Sequence, residues 1–229
     1  MLERSALSNS FTVPLDGQNA LKARFVALWA RCLDSSEREG AGVLTRLVNL
    51  YAEPHRHYHT LGHIRHCLNE FDRASAFMNH PDAVELALWF HDAIYVSGAK
   101  DNERRSADLF REYSGRLADA IFQQRIDDLI MATTHSGLPR QHDEQFIVDI
   151  DLSSFGLPWE AFMRDGLRIR AEFPHVKDDD YYPGHLRFLR GLCNRPAFFF
   201  TDCFRQRYER TARENIRRLV ADLFIRGYD

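Results

Sequence analysis

The sequence has few cysteines, and none of them form a recognisable pair. The four thiols, Cys32, Cys67, Cys193 and Cys203, include no CxxC motif and do not follow the spacing of a disulfide framework. This usage is typical of reduced, mostly buried thiols in a cytoplasmic protein. The first residues, MLERSALSNS, contain no apolar segment, so we expect no secretory signal. We therefore expect a cytoplasmic location.

Long hydrophobic runs and a strong charge excess are missing as well. The most apolar stretch, residues 197–200, is far shorter than the roughly 20 apolar residues of a membrane span. A formal net charge of -3 provides no field that would recruit nucleic acid or an anionic membrane. We expect neither as a partner. The sequence leaves the oligomeric state open, and a homo-oligomer is allowed.

No stretch alternates apolar and polar residues as a strand does, whereas helical spacing recurs throughout. Leu21, Phe25 and Leu28 are one example of this spacing. The chain has 229 residues, of which 45% are hydrophobic, which is enough for one core. We predict an irregular lead-in over residues 1–18, followed by a single all-α domain of roughly ten helices over residues 19–226.

Capping and breaking residues place four of these helices. Helices are expected to begin near Asn19 and Thr60, a third to run from Asp143 to Phe155, and a fourth to follow Pro158 and include Phe173. The segment AVELALWFHDAIY, residues 83–95, is apolar on nearly every side. That composition predicts a central buried helix, with His91 and Asp92 inside it.

Histidines and aspartates mark the candidate chemistry. His59 and His63 are four residues apart and would share one side of a helix. A carboxylate such as Asp92 in an apolar helix needs a cation, a metal or several donors. Imidazole and carboxylate together suit a divalent transition metal. A further ligand is expected from Asp149 or Asp151. Asp151 is favoured because it lies nearer the apolar stripe of its helix. Asp149 would then be an orienting or surface residue.

In this order, His63, His91-Asp92 and Asp151 resemble the H…HD…D signature of the HD superfamily of metal-dependent phosphohydrolases. The strings HDAIY…DNERRSA and DIDLSSFG, with the terminal YERTAREN, resemble a bacterial subfamily of predicted HD phosphohydrolases of undefined substrate. The lead-in from Tyr58 to His63 is similar to that of the cyclic-nucleotide phosphodiesterase branch. The resemblance covers about residues 45–220.

The resemblance implies an all-α HD-type helical bundle and a metal held by His63, His91, Asp92 and Asp151. It also implies that His59 donates a proton to the leaving group. The metal would be Mn, Ni, Fe, Zn or Co, with Mg possible. The substrate would be a small phosphorylated molecule, possibly a nucleotide, cleaved by a metal-activated water.

The chain departs from the family pattern at two places. Nucleotidase-like members have a glutamate three residues after the HD aspartate, where this chain has Tyr95; Glu103 is the substitute candidate for activating water. Binuclear members have further histidines before the last aspartate. Here His135 is the main candidate, as a second-metal ligand or phosphate contact, so we expect one tight metal and at most a weak second one. Tyr95 and Arg187 are candidate substrate contacts.

Two other functions are compatible with the same residues. Some HD-fold proteins are di-iron oxygenases, which need more histidine ligands than this chain clearly offers. A non-catalytic ligand-binding module on an HD scaffold is the other alternative, and the intact ligand set argues against it.

Overall fold

A computed structural model describes residues 15–229, with side chains from Asn19 onwards. This part of the chain forms ten α-helices and no strand. The helices are α1 (Leu15–Cys32), α2 (Glu37–Tyr51), α3 (Leu61–Ala74), α4 (Pro81–Phe90), α5 (Asn102–Ser114), α6 (Ala120–Ala132), α7 (His142–Leu152), α8 (Trp159–Ala171), α9 (Asp178–Cys193) and α10 (Asp202–Ile225). The all-α prediction, with about ten helices, is confirmed.

Helix α4 is the centre of the fold. Proline occupies its first turn, and every residue from Ala83 to Phe90 is buried. Helices α1, α3, α5, α6 and α7 all pack against it. Aromatic contacts fix this core: the rings of Phe25 and Trp89 meet edge to face at 5.1 Å, and those of Phe90 and Phe110 at 5.2 Å. The predicted central buried helix is confirmed.

The central helix is shorter than its apolar sequence suggested. It ends at Phe90, so His91 and Asp92 lie in the turn that follows it and not inside the helix. The amide of His91 still bonds to the Ala87 carbonyl, and that of Ala93 bonds to Phe90 in a tighter turn. The apolar composition continues past the helix end because the turn is buried as well.

Three other boundaries also differ from the expectation. Helix α1 begins at Leu15 and not near Asn19, and the rest of the expected lead-in, residues 1–14, lies outside the described residues. Helix α7 ends at Leu152, and residues up to Gly156 form a 3₁₀ turn, Ser153–Gly156. Phe173 lies beyond the end of α8. The start of α3, by contrast, is where the sequence placed it, with Thr60 as the N-cap.

No described helix combines the length and the apolar composition needed to cross a membrane. The four cysteines are free thiols, as the sequence predicts.

Candidate metal centre

The ends of three helices bring the four predicted ligands together. His63 lies in the first turn of α3, whose start is fixed because the Thr60 hydroxyl accepts a hydrogen bond from the amide of Gly62. His91 and Asp92 follow the last turn of α4. Asp151 lies in the last turn of α7. Side chains at helix ends can converge without interrupting the packing of the helices themselves.

The donor atoms are spaced as a metal would require. His63 Nε2 lies 3.3 Å from His91 Nε2 and 3.1 Å from Asp151 Oδ1. Asp92 Oδ2 lies 3.1 Å from His91 Nε2 and 3.5 Å from His63 Nε2, and His91 Nε2 lies 3.6 Å from Asp151 Oδ1. Donors about 2.1 Å from a shared ion are separated by about 3.0 Å in octahedral geometry and about 3.4 Å in tetrahedral geometry. The separations among His63, His91 and Asp151, and those from Asp92 to the two histidines, are therefore compatible with a shared divalent ion.

The orientation of the His91 ring favours coordination through Nε2. Its Nδ1 lies 2.9 Å from the Leu88 carbonyl oxygen, to which it can only donate a hydrogen bond. In the neutral ring the proton then sits on Nδ1, and the Nε2 lone pair faces the other ligands. This is the arrangement that metal-binding histidines commonly adopt.

Two carboxylates in this buried cluster require positive charge. Burial alone would lower the pKa of His91, but Asp92 and Asp151 raise it well above its usual value. Burial would likewise raise the pKa of Asp151, yet hydrogen bonds with His135, His63 and His91 hold it well below its usual value. The positive charge can come from protons on the imidazoles or from a divalent cation that replaces them.

Cys67 lies beside the cluster, one turn after His63. Its Sγ is 3.6 Å from His63 Nε2, and His63, Cys67, His91 and Asp151 each offer a ligand atom within 4.8 Å of the others. Burial and the nearby carboxylates of Asp151 and Asp92 raise the pKa of the Cys67 thiol well above its usual value. A divalent ion would oppose this shift, because a coordinated thiol loses its proton. Cys67 is therefore a further potential ligand beside the four predicted residues.

His59 is held outside this ligand set by Glu172, the residue that follows α8. Glu172 Oε1 accepts hydrogen bonds from the backbone amides of His57, Tyr58 and His59 at 2.8, 2.8 and 3.0 Å. Its Oε2 lies 2.6 Å from His59 Nδ1. His59 therefore contacts Glu172, whereas His63 contacts His91 and Asp151.

The contact with Glu172 favours the protonated form of His59. Burial would lower the pKa of His59, but Asp92 and Glu172 more than offset this and raise it. Burial would raise the pKa of Glu172, but its hydrogen bonds with His59 and the loop amides bring it to about 2. The carboxylate orients Nδ1–H of His59 towards Glu172, and the protonated ring would also have Nε2–H available for another acceptor.

Tyr95 supports the same pair. Its ring stacks on His59 with centroids 4.1 Å apart, and its hydroxyl donates a hydrogen bond to Glu172 Oε2 at 2.9 Å. The side chain thus fixes both members of the His59–Glu172 pair. A contact between Tyr95 and substrate remains a prediction.

A single buried arginine joins the two halves of the site. Arg56 donates hydrogen bonds to the carbonyl oxygens of His59, Asp92 and Ala93 at 3.3, 2.6 and 2.8 Å. Its guanidinium also lies over the ring of Tyr95, 5.6 Å from the centroid. The loop that carries His59 is therefore tied to the turn that carries Asp92.

His135 contacts the outer oxygen of Asp151. Its Nε2 lies 2.9 Å from Asp151 Oδ2, whereas His63 contacts Oδ1. The backbone of His135 has a φ of 53°, which is uncommon outside glycine. Its Nδ1 is buried without a hydrogen-bond partner. These features place His135 at the site, while the choice between metal ligand and phosphate contact stays open.

Glu103, in the first turn of α5, interacts electrostatically with the same cluster. Burial raises its pKa, and Asp92 adds to the effect while His135 and His91 oppose it. A carboxylate with a raised pKa is better suited to accepting a proton than an ordinary surface glutamate. Its predicted role in activating water is compatible with this position and remains a prediction.

Asp149 is not a surface residue. Its side chain is fully buried and accepts hydrogen bonds from the amides of Phe200 and Thr201 and from the Thr201 hydroxyl, at 2.7–2.8 Å for the shortest contact of each. The sequence predicts a more polar helix face for Asp149 than for Asp151. In the structure Asp149 is the more buried of the two, and it connects α7 to the start of α10.

Arg187 lies on the exposed face of α9, and no hydrogen bond or ion pair joins it to the candidate ligands within the described residues. The structure does not bring it together with the metal cluster.

Sequence reasoning missed Glu172, Arg56 and Cys67. Glu172 follows an amphipathic helix in Arg170-Ala171-Glu172-Phe173, and nothing local distinguishes it from a surface residue. Arg56 stands in the dense histidine segment before α3, where a buried arginine has no sequence signal. Cys67 lies four residues after His63, so helical spacing could have placed it beside that ligand.

No protein-family model matches the chain, and neither a curated protein nor a solved structure shows significant similarity to it.

Proposed function

We propose that the protein is a metal-dependent phosphohydrolase of the HD type that cleaves a small phosphoester. The observation that carries the proposal is the convergence of His63, His91, Asp92 and Asp151, with separations of 3.1–3.6 Å between the donor atoms. A third histidine, His59, lies beside this cluster and is held apart from it by Glu172. A ligand cluster with an adjacent proton donor is what hydrolysis of a phosphoester needs.

Each part of the site has a separate task. A divalent ion at the cluster would activate a water molecule and polarise the phosphoryl group. His59 gives the Nε2 proton to the leaving oxygen as its bond to phosphorus breaks. Glu103 is the candidate to take a proton from the attacking water. Glu172 and Tyr95 hold His59 in the orientation and charge state that proton donation requires.

The ligand set of two imidazoles and two carboxylates suits Mn, Fe, Co, Ni or Zn, with Mg less well matched because it prefers oxygen ligands. The outer oxygen of Asp151, which His135 contacts, is the position at which a weaker second ion would bind.

A phosphate-release screen over nucleotides and sugar phosphates with each of these metals tests the proposal. His91→Ala and Asp92→Ala are the controls, and both should abolish metal binding and phosphate release. Release that persisted in both variants would overturn the assigned site. Two irons per chain with consumption of oxygen would instead favour an oxygenase. If no metal supported hydrolysis of any substrate, a non-catalytic binding module would be the better description.

A further inference from the structure

Arg56 is a buried cation whose hydrogen bonds go mainly to the main chain of the candidate site. Its Nη1 atom donates to the carbonyl oxygens of His59 and Asp92 at 3.3 and 2.6 Å, and its Nη2 atom donates to that of Ala93 at 2.8 Å. Its Nε atom bonds to Glu53 at 3.0 Å, and no part of the side chain is exposed. All three guanidinium nitrogens therefore have an acceptor, as burial of a charged group requires.

Two tyrosine rings help to hold this guanidinium in place. Its central carbon lies 5.3 Å from the ring centroid of Tyr51 and 5.6 Å from that of Tyr95. The Tyr51 hydroxyl donates a hydrogen bond to the carbonyl oxygen of Trp89 at 3.0 Å, in the last turn of α4. Arg56 is thus positioned relative to the end of α4, which is directly followed by the turn that carries Asp92.

Two residues of opposite charge hold the loop that carries His59. Glu172 accepts hydrogen bonds from the backbone amides of residues 57–59, whereas Arg56 donates one to the carbonyl oxygen of His59. Of this pair, Arg56 is the residue that also bonds to the main chain of the candidate ligand Asp92. The separation between the His59 ring and the cluster therefore depends on Arg56. Such separations matter because a displacement of about 1 Å can lower a rate about 100-fold.

We propose that Arg56 is a positioning residue that holds the proton donor His59 at a fixed separation from the ion bound by Asp92 and the other ligands. The inference rests on the proposed phosphohydrolase function and adds to it a residue that acts through the main chain. Arginine suits this role because its planar fork reaches three carbonyl oxygens at once, whereas the ammonium of a lysine is a compact point charge. Replacing the fork should displace His59 while every ligand and the proton donor remain.

The leaving group of the substrate separates positioning of His59 from a general loss of structure. An alkyl phosphoester needs a proton on its leaving oxygen, whereas a dinitrophenyl phosphoester releases a stable phenolate and needs none. Arg56→Lys should lower kcat about tenfold or more for the alkyl ester and by less than about threefold for the aryl ester. His59→Ala should show the same pattern. In the His59→Ala background, Arg56→Lys should lower kcat further by less than about threefold.

Arg24→Lys is the matched control. Arg24 bonds to Asp72 and Glu85, between α1, α3 and α4, so its loss should lower stability and change kcat for both esters by the same factor. Melting curves and circular dichroism establish that each variant is folded. Arg56→Gln, which keeps two N–H donors, replaces Arg56→Lys if that variant does not fold. Equal losses of kcat for the two esters in a folded Arg56 variant, or losses that add fully to those of His59→Ala, would overturn the positioning role.

Cobalt(II) bound at the cluster tests the same role without turnover. The ion is paramagnetic, so the NMR shift of the His59 Cε1 proton depends on the distance and direction of that proton from the ion. The signal is assigned by its loss in His59→Ala. Its shift should change in the folded Arg56 variant and stay the same in Arg24→Lys. An unchanged shift in the Arg56 variant would contradict the proposal.

The two proposals can fail separately. If the shift of His59 depends on Arg56 but no phosphoester is hydrolysed, the placement of His59 by Arg56 stands and the hydrolase function falls. If phosphoesters are hydrolysed and the Arg56 variant loses equally for alkyl and aryl esters, hydrolysis stands and the role of Arg56 falls. A cluster that bound no ion would overturn both.

Discussion

At the scale of residues, the two histidines at the start of the site have separate partners. His63 contacts the other candidate ligands, whereas His59 contacts Glu172. Spacing in the sequence could indicate that these histidines lie near each other. It could not separate their roles, because the residue that distinguishes them, Glu172, is more than a hundred positions away in the chain.

Substitution of the two histidines should therefore have different effects. His63→Ala should remove both the metal and the activity, since one of four ligands is lost. His59→Ala should leave the metal bound and slow phosphate release by about 10²- to 10⁴-fold, the usual contribution of a general acid. Metal content by mass spectrometry, beside phosphate release, checks both. Loss of metal from His59→Ala would contradict the division of roles.

Glu172→Gln should change the pH dependence of turnover. In the proposed reaction His59 acts in its protonated form, and Glu172 helps to raise its pKa, so the activity of wild type should decline only as the pH rises through that raised value. Without the carboxylate the pKa of His59 falls, and the alkaline limb of the kcat profile should move to lower pH. Tyr95→Phe, which removes one hydrogen bond and no charge, is the matched comparison and should move the limb less. If the alkaline limb of the kcat profile were unchanged in Glu172→Gln, His59 would not be the proton donor.

At the scale of elements, the 3₁₀ turn after α7 packs very closely on α10. A Cβ atom on Gly156 would lie 2.5 Å from the Cβ of Tyr208, closer than such atoms approach in folded proteins. Gly166, in α8, has no atom within 4 Å of the corresponding position. The two glycines therefore provide a matched pair for measuring how tightly the end of α7 is held.

Gly156→Ala should lower the free energy of unfolding by about 1–3 kcal/mol, because the added methyl group forces Tyr208 or the turn to move. Gly166→Ala should raise it by about 0.5–1 kcal/mol, as expected for alanine in a helix. Urea denaturation followed by circular dichroism measures both. Equal stability of the two variants would show that α10 can shift to accommodate the methyl group.

The helices were the most predictable part of this chain, and their ends the least. The apolar run around Trp89 predicted a central helix, and Pro81 and Thr60 marked where two helices begin. The end of α4 could not be predicted from the same run, because the residues after the helix, including His91 and Ala93, are buried as well. Asp149 was misplaced for a related reason: its partners, Phe200 and Thr201, come from a distant segment that helical periodicity does not reveal.

At the scale of the whole molecule, metal binding should stabilise the fold. An ion that binds only the folded chain adds about 2.7 kcal/mol when its free concentration is 100 times Kd. For a chain of this length that corresponds to a rise in Tm of about 5–10 °C. Melting curves recorded with and without a chelator should show the difference in wild type and not in His91→Ala. A shift of the same size in both proteins would place the ion elsewhere.

The ligands of this centre are far apart along the chain. His63 is separated from His91 by 28 residues and from Asp151 by 88, and His59 from Glu172 by 113. Large loops must close before these side chains meet, so we expect the cluster to form late in folding. An ion added to the unfolded chain would find isolated ligands. We therefore expect the chain to fold before it binds an ion at this cluster.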